Sequence, residues 1–213
     1  MANEPESDNL TRARVIDSAL KLLDKKPLSQ INYREIAAGA GLSHMTVYRH
    51  FRTLDELLEA VAEEGYRKLT RDLRECVERY QSKPTDLLEQ TFLAYFRFAH
   101  SHPHHLTAMF DRGDQKGKYK RTSFLKATQA LLEEYLGIIR ICQKAGIFPR
   151  DFSENDLGMM LWSFSHGYAI LETKAELKLV MHSRPNSEEF IRKGAAVFIA
   201  GLSELSKSAS KKT

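Results

Sequence analysis

Asn32-Tyr33-Arg34-Glu35-Ile36-Ala37-Ala38-Gly39-Ala40-Gly41-Leu42-Ser43-His44-Met45-Thr46-Val47-Tyr48-Arg49-His50-Phe51 is the stretch that decides the fold. Asn32 offers a side-chain oxygen to the first amides of a helix opening at Tyr33, and Glu35 sits three residues on, the spacing of a capping box. Gly39 to Gly41 end that helix, and another starts after Ser43 and runs to Phe51. A short helix, a tight glycine-containing turn and a second helix make the layout of a helix-turn-helix.

The two sides of the second helix differ in chemistry. At about 100° per residue, Val47 and Phe51 point one way with Ile36, Ala37 and Leu42, while Met45 and Arg49 point the opposite way and Thr46, Tyr48 and His50 flank them. A short helix with this mixed outer face suits a DNA major groove about 12 Å wide. Arg49 is expected to read guanine and Met45 a thymine methyl. Unpaired backbone N–H groups at the helix starts, Tyr33 and His44, attract phosphates. The expected DNA-binding set is Tyr33, Arg34, Ser43, His44, Met45, Thr46, Tyr48, Arg49 and His50, of which Tyr33, Arg34, Tyr48 and His50 take phosphates. A plain three-helix bundle with its polar side in water is the alternative that residue physics leaves open.

Outward from this stretch the chain reads as all-α, since apolar residues recur at spacings of three and four and no long run alternates with period two. A first helix spans about Thr11 to Lys25 with Val15, Ile16, Ala19, Leu20 and Leu23 on one face, and Pro27 stops it. A fourth opens at Thr53-Leu54-Asp55-Glu56, again with capping-box spacing, and continues past Gly65 to about Tyr80, long enough to link two domains. Helices follow at about Thr85–His100, Pro103–Phe110, Tyr119–Lys144, Glu154–Leu179 and Ser187–Lys207, separated by Pro84, Pro103, Asp111–Lys118, Gly146–Pro149 and Pro185. The expected organisation is a tail (1–10), a helix-turn-helix domain (11–53), a larger helical regulatory and dimerisation domain (54–206) and a second tail (207–213).

Composition agrees with a globular protein. The chain has 213 residues, 42% hydrophobic and 28% charged, and lacks an apolar run of membrane-spanning length. The opening MANEPESDNL carries no leader pattern, so cytoplasm is the expected compartment, and Cys76 and Cys142 lack metal spacing. The net charge of +4 is uneven. Arg112, Lys116, Lys118, Lys120, Arg121 and Lys126 cluster mid-chain and Lys207, Lys211 and Lys212 close it, while residues 1 to 60 are near balance, so bulk charge alone does not argue for nucleic acid.

Thr46-Val47-Tyr48-Arg49-His50-Phe51, preceded by Ile36-Ala37 and Gly41-Leu42-Ser43 and followed by a fourth helix, resembles the DNA-binding head of the TetR family of transcriptional repressors over roughly residues 11 to 60. One departure is Leu54, where many members carry a lysine that grips a phosphate; Arg52 is the nearest substitute. Trp162-Ser163-Phe164-Ser165-His166-Gly167 is similar to a Trp-then-His-Gly signature in the C-terminal domain of one TetR subgroup. The resemblance implies an all-α regulatory domain, dimerising through its last two long helices, with a ligand cavity among the middle ones. It also favours repression.

Aromatic residues crowd the second half. A pocket lined by Phe92, Phe96, Met109, Trp162 and His166 is expected for a small, largely apolar or aromatic effector, against the plainer reading of a filled core. Homodimerisation is expected through helices 154–179 and 187–207, where Leu157, Met160, Leu161, Phe164 and Leu171, then Phe190, Ile191, Val197, Phe198, Leu202 and Leu205 give apolar faces. A dimer of this kind binds a palindromic operator in double-stranded DNA. His100, His102, His104 and His105 are strung along a Pro103 break rather than converging, so no metal is expected. No catalytic or cofactor motif is present, which argues against an enzyme, and the competing function is a non-specific architectural DNA binder without ligand.

Overall fold

The computed structural model describes residues 4–26, 30–110, 122–173 and 187–210, and the regular elements among them are helices. They are α1 (Glu4–Leu23), α2 (Tyr33–Ala40), α3 (His44–His50), α4 (Leu54–Tyr80), α5 (Pro84–Ser101), α6 (Pro103–Phe110), α7 (Thr122–Lys144), α8 (Glu154–Thr173) and α9 (Ser187–Ser210). Pro27, the basic run from Arg112 to Arg121, the stretch 174–186 with Pro185, and Lys211 and Lys212 lie outside the described residues.

The first and last helices extend into the expected tails. Helix α1 opens at Glu4 instead of Thr11, with Pro5 in a first turn whose N–H groups have no helical partner in any case. The Thr11 hydroxyl donates back to the carbonyl of Ser7 at 2.8 Å. Helix α9 runs on to Ser210.

The chain forms two compact units, one of Met1–Gly65 with His104–Leu125 and one of Tyr66–Pro103 with Lys126–Thr213. The division therefore falls inside α4, not at Leu54, and α6 belongs with the smaller unit. Gly65 gives the reason. A Cβ there would stand 2.7 Å from Met109 Sδ and 3.0 Å from His105 Cβ, so the missing side chain is what lets α6 lie on the first turns of α4.

Within the smaller unit α1 packs on α2 and α2 on α3 around Val15, Ile16, Ala19, Ile36, Ala37, Ala40, Val47, Phe51, Leu57 and Val61, all buried. The Ser18 hydroxyl, buried, donates to the carbonyl of Ile36 at 2.8 Å, and Arg14 Nη2 donates to the carbonyl of Ala40 at 2.5 Å. Gly41 closes α2 in the left-handed region at φ 64°, where its N–H and that of Leu42 reach the carbonyls of Ala38 and Ala37.

In the larger unit α5 packs on α8 and α9. Phe92 meets Phe164 and Phe198 edge-to-face, with ring centroids 5.2 and 5.5 Å away, and Gly194 leaves room for the Phe164 ring. Leu157, Leu161, Ile191 and Leu202 are buried within this unit, whereas Met159, Met160 and Leu171 of α8 and Phe190, Val197 and Leu205 of α9 are exposed. Among the described residues no helix is long and apolar enough to cross a membrane.

Candidate nucleic-acid interface

Helix α3 is short, and its start is held by side chains. Ser43 Oγ accepts the N–H of Thr46 at 3.0 Å and shares a 2.8 Å hydrogen bond with Thr46 Oγ1, so the Ser43 and Thr46 hydroxyls of the expected set serve the cap. At the other end the N–H of Phe51 reaches the carbonyl of Val47. Val47 and Phe51 are fully buried, while Met45 is 72% and Tyr48 48% exposed, and Arg49 is exposed with them. The helix therefore presents a guanidinium, a thioether and a phenol on a face its two anchors hold outward.

Asn32 is the cap of α2, with its side-chain oxygen accepting the N–H groups of Arg34 and Glu35 and the Glu35 carboxylate accepting the N–H of Asn32. That capping box fixes Tyr33 beside α3. Tyr33 lies 6.1 Å from His44 and 6.3 Å from Tyr48 between ring centroids, and His44 stacks on Tyr48 at 6.5 Å. Three of the expected contacts thus form one aromatic group, with Arg34 exposed on α2. The Tyr33 hydroxyl is sealed from solvent without a hydrogen-bond partner among the described residues. Burial, then the charges of Glu56, Tyr48 and Asp55, push it up to about 12, so it keeps its proton and remains a donor.

His50 departs from expectation. Its side chain is only 5% exposed, and Nδ1 lies 3.5 Å from Asp8 Oδ1. Asp8 comes from the N-terminal turns of α1, within the stretch expected to be a tail, so the imidazole faces that carboxylate instead of standing free for a phosphate. Leu54 leaves the start of α4 without a cation. That turn carries Asp55 and Glu56, with Thr53 Oγ1 accepting the N–H of Glu56 and Glu56 accepting the N–H of Arg52. Arg12, which periodicity did not single out, sits 4.6 Å over the Phe51 ring.

The five residues expected to line a pocket are distributed. Phe92 belongs to the Phe164 and Phe198 cluster; Phe96 stacks on His100 and tilts against Tyr168; Met109 lies in the smaller unit beside Gly65. Trp162 and His166 lie together, 5.3 Å between centroids, and the Tyr95 hydroxyl is 2.7 Å from His166 Nδ1. Burial lowers the His166 pKa, favouring the neutral imidazole. One aspect of the Trp-then-His stretch is thus a tie between α8 and α5. Of the histidines around Pro103, His102 packs on Phe98 and His104 meets Asp24 at 2.8 Å, and among the described residues no three His, Cys, Asp or Glu converge as for a metal. Cys76 and Cys142 are free thiols.

Comparison with known proteins agrees with this arrangement. Residues 15–61 match the family model described as bacterial regulatory proteins, tetR family, and residues 88–196 match that described as tetracyclin repressor-like, C-terminal domain. A solved protein with unknown function from Rhodococcus sp. RHA1 is similar with a TM-score of 0.76 at 25% identity, over 91% of this chain and 95% of that one. The TetR family transcriptional regulator PfmR from Thermus thermophilus is similar with a TM-score of 0.68 at 18% identity, over 89% of this chain and 98% of its own. The fatty acid degradation regulator FadR from Bacillus halodurans shares the fold with a TM-score of 0.70 at 13% identity, over 90% of this chain and 96% of its own.

Proposed function

Because the chain belongs to the TetR family of bacterial regulatory proteins, we propose that it is a ligand-responsive repressor that binds a palindromic operator as a homodimer. The observation that carries this reading is α3 itself, with Met45, Tyr48 and Arg49 outward on a helix anchored by buried Val47 and Phe51. Arg49 reads a base edge and Met45 packs on a thymine methyl; Arg34, His44 and Tyr48 grip the backbone beside them, and Tyr33 reaches it only where its sealed hydroxyl is uncovered. Ser43 and Thr46 act by capping the reading helix, and His50 reaches a phosphate only where Asp8 releases it.

The dimer forms through the exposed faces of α8 and α9. Met160, Gly167 and Leu171 share one stripe of α8, and Phe190, Val197 and Gly201 one stripe of α9, with Val197 75% exposed and nothing within 4 Å of a Cβ placed at Gly167 or Gly201. Two such pairs of helices make a four-helix interface about a two-fold axis, which sets the half-sites about 34–36 Å apart or a multiple of that. An effector in the larger unit biases α4, which continues unbroken from Leu54 to Tyr80, and a coupling of about 1–3 kcal/mol weakens operator binding roughly 5- to 150-fold.

The experiment is selection of bound fragments from genomic DNA, followed by gel shifts against a selected palindrome and against random sequence at two salt concentrations. A specific reader keeps a large affinity ratio as salt rises, whereas equal affinity for both would make the protein an architectural binder and overturn the proposal. Arg49→Ala is expected to cost about 1–3 kcal/mol, concentrated at one base position.

A further inference from the structure

Helix α9 buries one side and leaves the other bare. Ile191, Ala195, Ile199, Leu202 and Ser206 are buried within the larger unit. At about 100° per residue, Glu189, Lys193, Val197, Ala200, Glu204 and Lys207 share the opposite face, and all six are exposed. Val197, near its middle, is 75% exposed, with Ala196 and Gly201 beside it. The charges on this face come as two local pairs. Lys193 Nζ lies 2.6 Å from Glu189 on the N-terminal half, and Lys207 Nζ lies 3.5 Å from Glu204 on the C-terminal half. Along the helix the order is therefore minus, plus, apolar, minus, plus. That order complements itself in one direction. Reversed about a point between Phe198 and Ile199, the face meets its own copy with Lys193 against Glu204, Val197 against Ala200 and Ala196 against Gly201, while Glu189 falls next to Lys207. Laid parallel and in register, Lys193 would face Lys193 and Glu204 would face Glu204, which repels.

We propose that two copies of this chain pair along α9 in antiparallel register, with the two-fold axis between Phe198 and Ile199, and that Lys193 of one copy against Glu204 of the other sets that register and rejects other partners. This rests on the reading that the chain is a homodimer through α8 and α9, and deepens it by assigning the residues that choose the partner. A two-fold interface requires that residue i meet j while j meets i. The α9 face meets that requirement in charge and in size together, since Val197 falls on a small residue and a Cβ at Gly201 would meet nothing within 4 Å inside the subunit. The two Lys193–Glu204 contacts lie about 8 Å to either side of the axis, at the margins of the apolar centre. A charge pair in such a place fixes register and partner more than it adds affinity. A helix with another charge order brings like charges together there and is refused.

The test mixes two variants of the full chain. Lys193→Glu homodimers place carboxylate against carboxylate at both contacts, and Glu204→Lys homodimers place ammonium against ammonium, whereas one copy of each restores opposite charges. Both side chains are well exposed, so neither change disturbs the core. Native mass spectrometry of an equimolar mixture at low salt, with one variant isotope-labelled, is expected to show the mixed dimer dominating. Sedimentation equilibrium should show each homodimer about tenfold weaker than the parent, with the difference shrinking as salt rises. The chain carrying both changes should dimerise as tightly as the parent and yet refuse to mix with it. Mixing in statistical proportion, variants that pair as tightly as the parent, or a double variant that does not recover would each overturn the assignment while leaving the homodimer reading in place. A parent chain that sediments as a monomer at micromolar concentration would overturn both.

Discussion

Gly39 and Ser18 provide the sharpest test of how the reading head is assembled. A methyl group at Gly39 would occupy the position of the Ser18 hydroxyl, which is buried and donates to the carbonyl of Ile36 at 2.8 Å. Gly39→Ala gains about 1 kcal/mol of helix propensity. It loses about 1 kcal/mol for the broken hydrogen bond and about 1–2 kcal/mol for a buried hydroxyl left unmet, a net loss of about 1–2 kcal/mol. Ser18→Ala alone costs about 1 kcal/mol. In that background the nearest remaining atom is the residue 18 Cβ at 3.4 Å, an ordinary contact, so Gly39→Ala should now stabilise. The double-mutant cycle therefore predicts a coupling of about 2 kcal/mol, with the two-residue variant more stable than Gly39→Ala alone. Native-state amide exchange of Ile36, Ala37 and Ala40 reads the opening of α2 directly, and the coupling corresponds to roughly 30-fold in the opening constant. Additive effects, within about 0.5 kcal/mol, would refute the claim that Gly39 is small because Ser18 stands against it.

Ser43→Ala removes the acceptor for the Thr46 N–H and should cost α3 about 1 kcal/mol, read as faster exchange at Thr46 and about fivefold weaker operator binding per head, whereas Ser43→Asn should retain both. Asp8→Asn takes the carboxylate away from His50 and is expected to raise operator affinity a few-fold, about 0.2–1 kcal/mol, more at low salt than at high, in gel shifts; unchanged or weaker binding would show that Asp8 serves only the fold. The folded state holds the His166 pKa below its unfolded value, so the unfolded chain takes up the proton first and stability is lost as pH falls below about 6.5. Trp162, the single tryptophan, lies beside His166, and urea titrations followed by its fluorescence between pH 7.5 and 5 should show a declining midpoint that His166→Gln flattens.

The head was legible because its signals are local. The Asn32 and Glu35 spacing is realised as a full capping box, Gly41 takes the left-handed cap, and the 100° step placed Val47 and Phe51 inward with Met45 and Arg49 outward. Periodicity sorts the faces of one helix and says nothing of what a neighbouring element covers. His50 falls on a flank of α3, and whether a flank is open depends on α1 reaching back to Glu4, a stretch whose polar composition resembles a tail. The inner boundary was hidden for a related reason. Gly65 reads as a weak point in a long helix until α6 is seen against it, and Met109 belongs with α6 to the smaller unit.

Helix α8 carries residues of both activities proposed for the larger unit. One flank carries Trp162 and His166, the latter tied to Tyr95 of α5, while an exposed stripe carries Met160, Gly167 and Leu171. His166 and Gly167 are adjacent in sequence yet face these different surroundings, and a Cβ at Gly167 would meet nothing within 4 Å inside the subunit. The absence of a side chain there is therefore not demanded by packing within the chain, and is explained if another helix comes close. A continuous hydrogen-bonded helix moves largely as one body, so any ligand that changes how His166 sits on Tyr95 also changes how the outer stripe meets its partner. On the proposed function, effector binding and subunit pairing would meet on this one helix, at the adjacent His166 and Gly167.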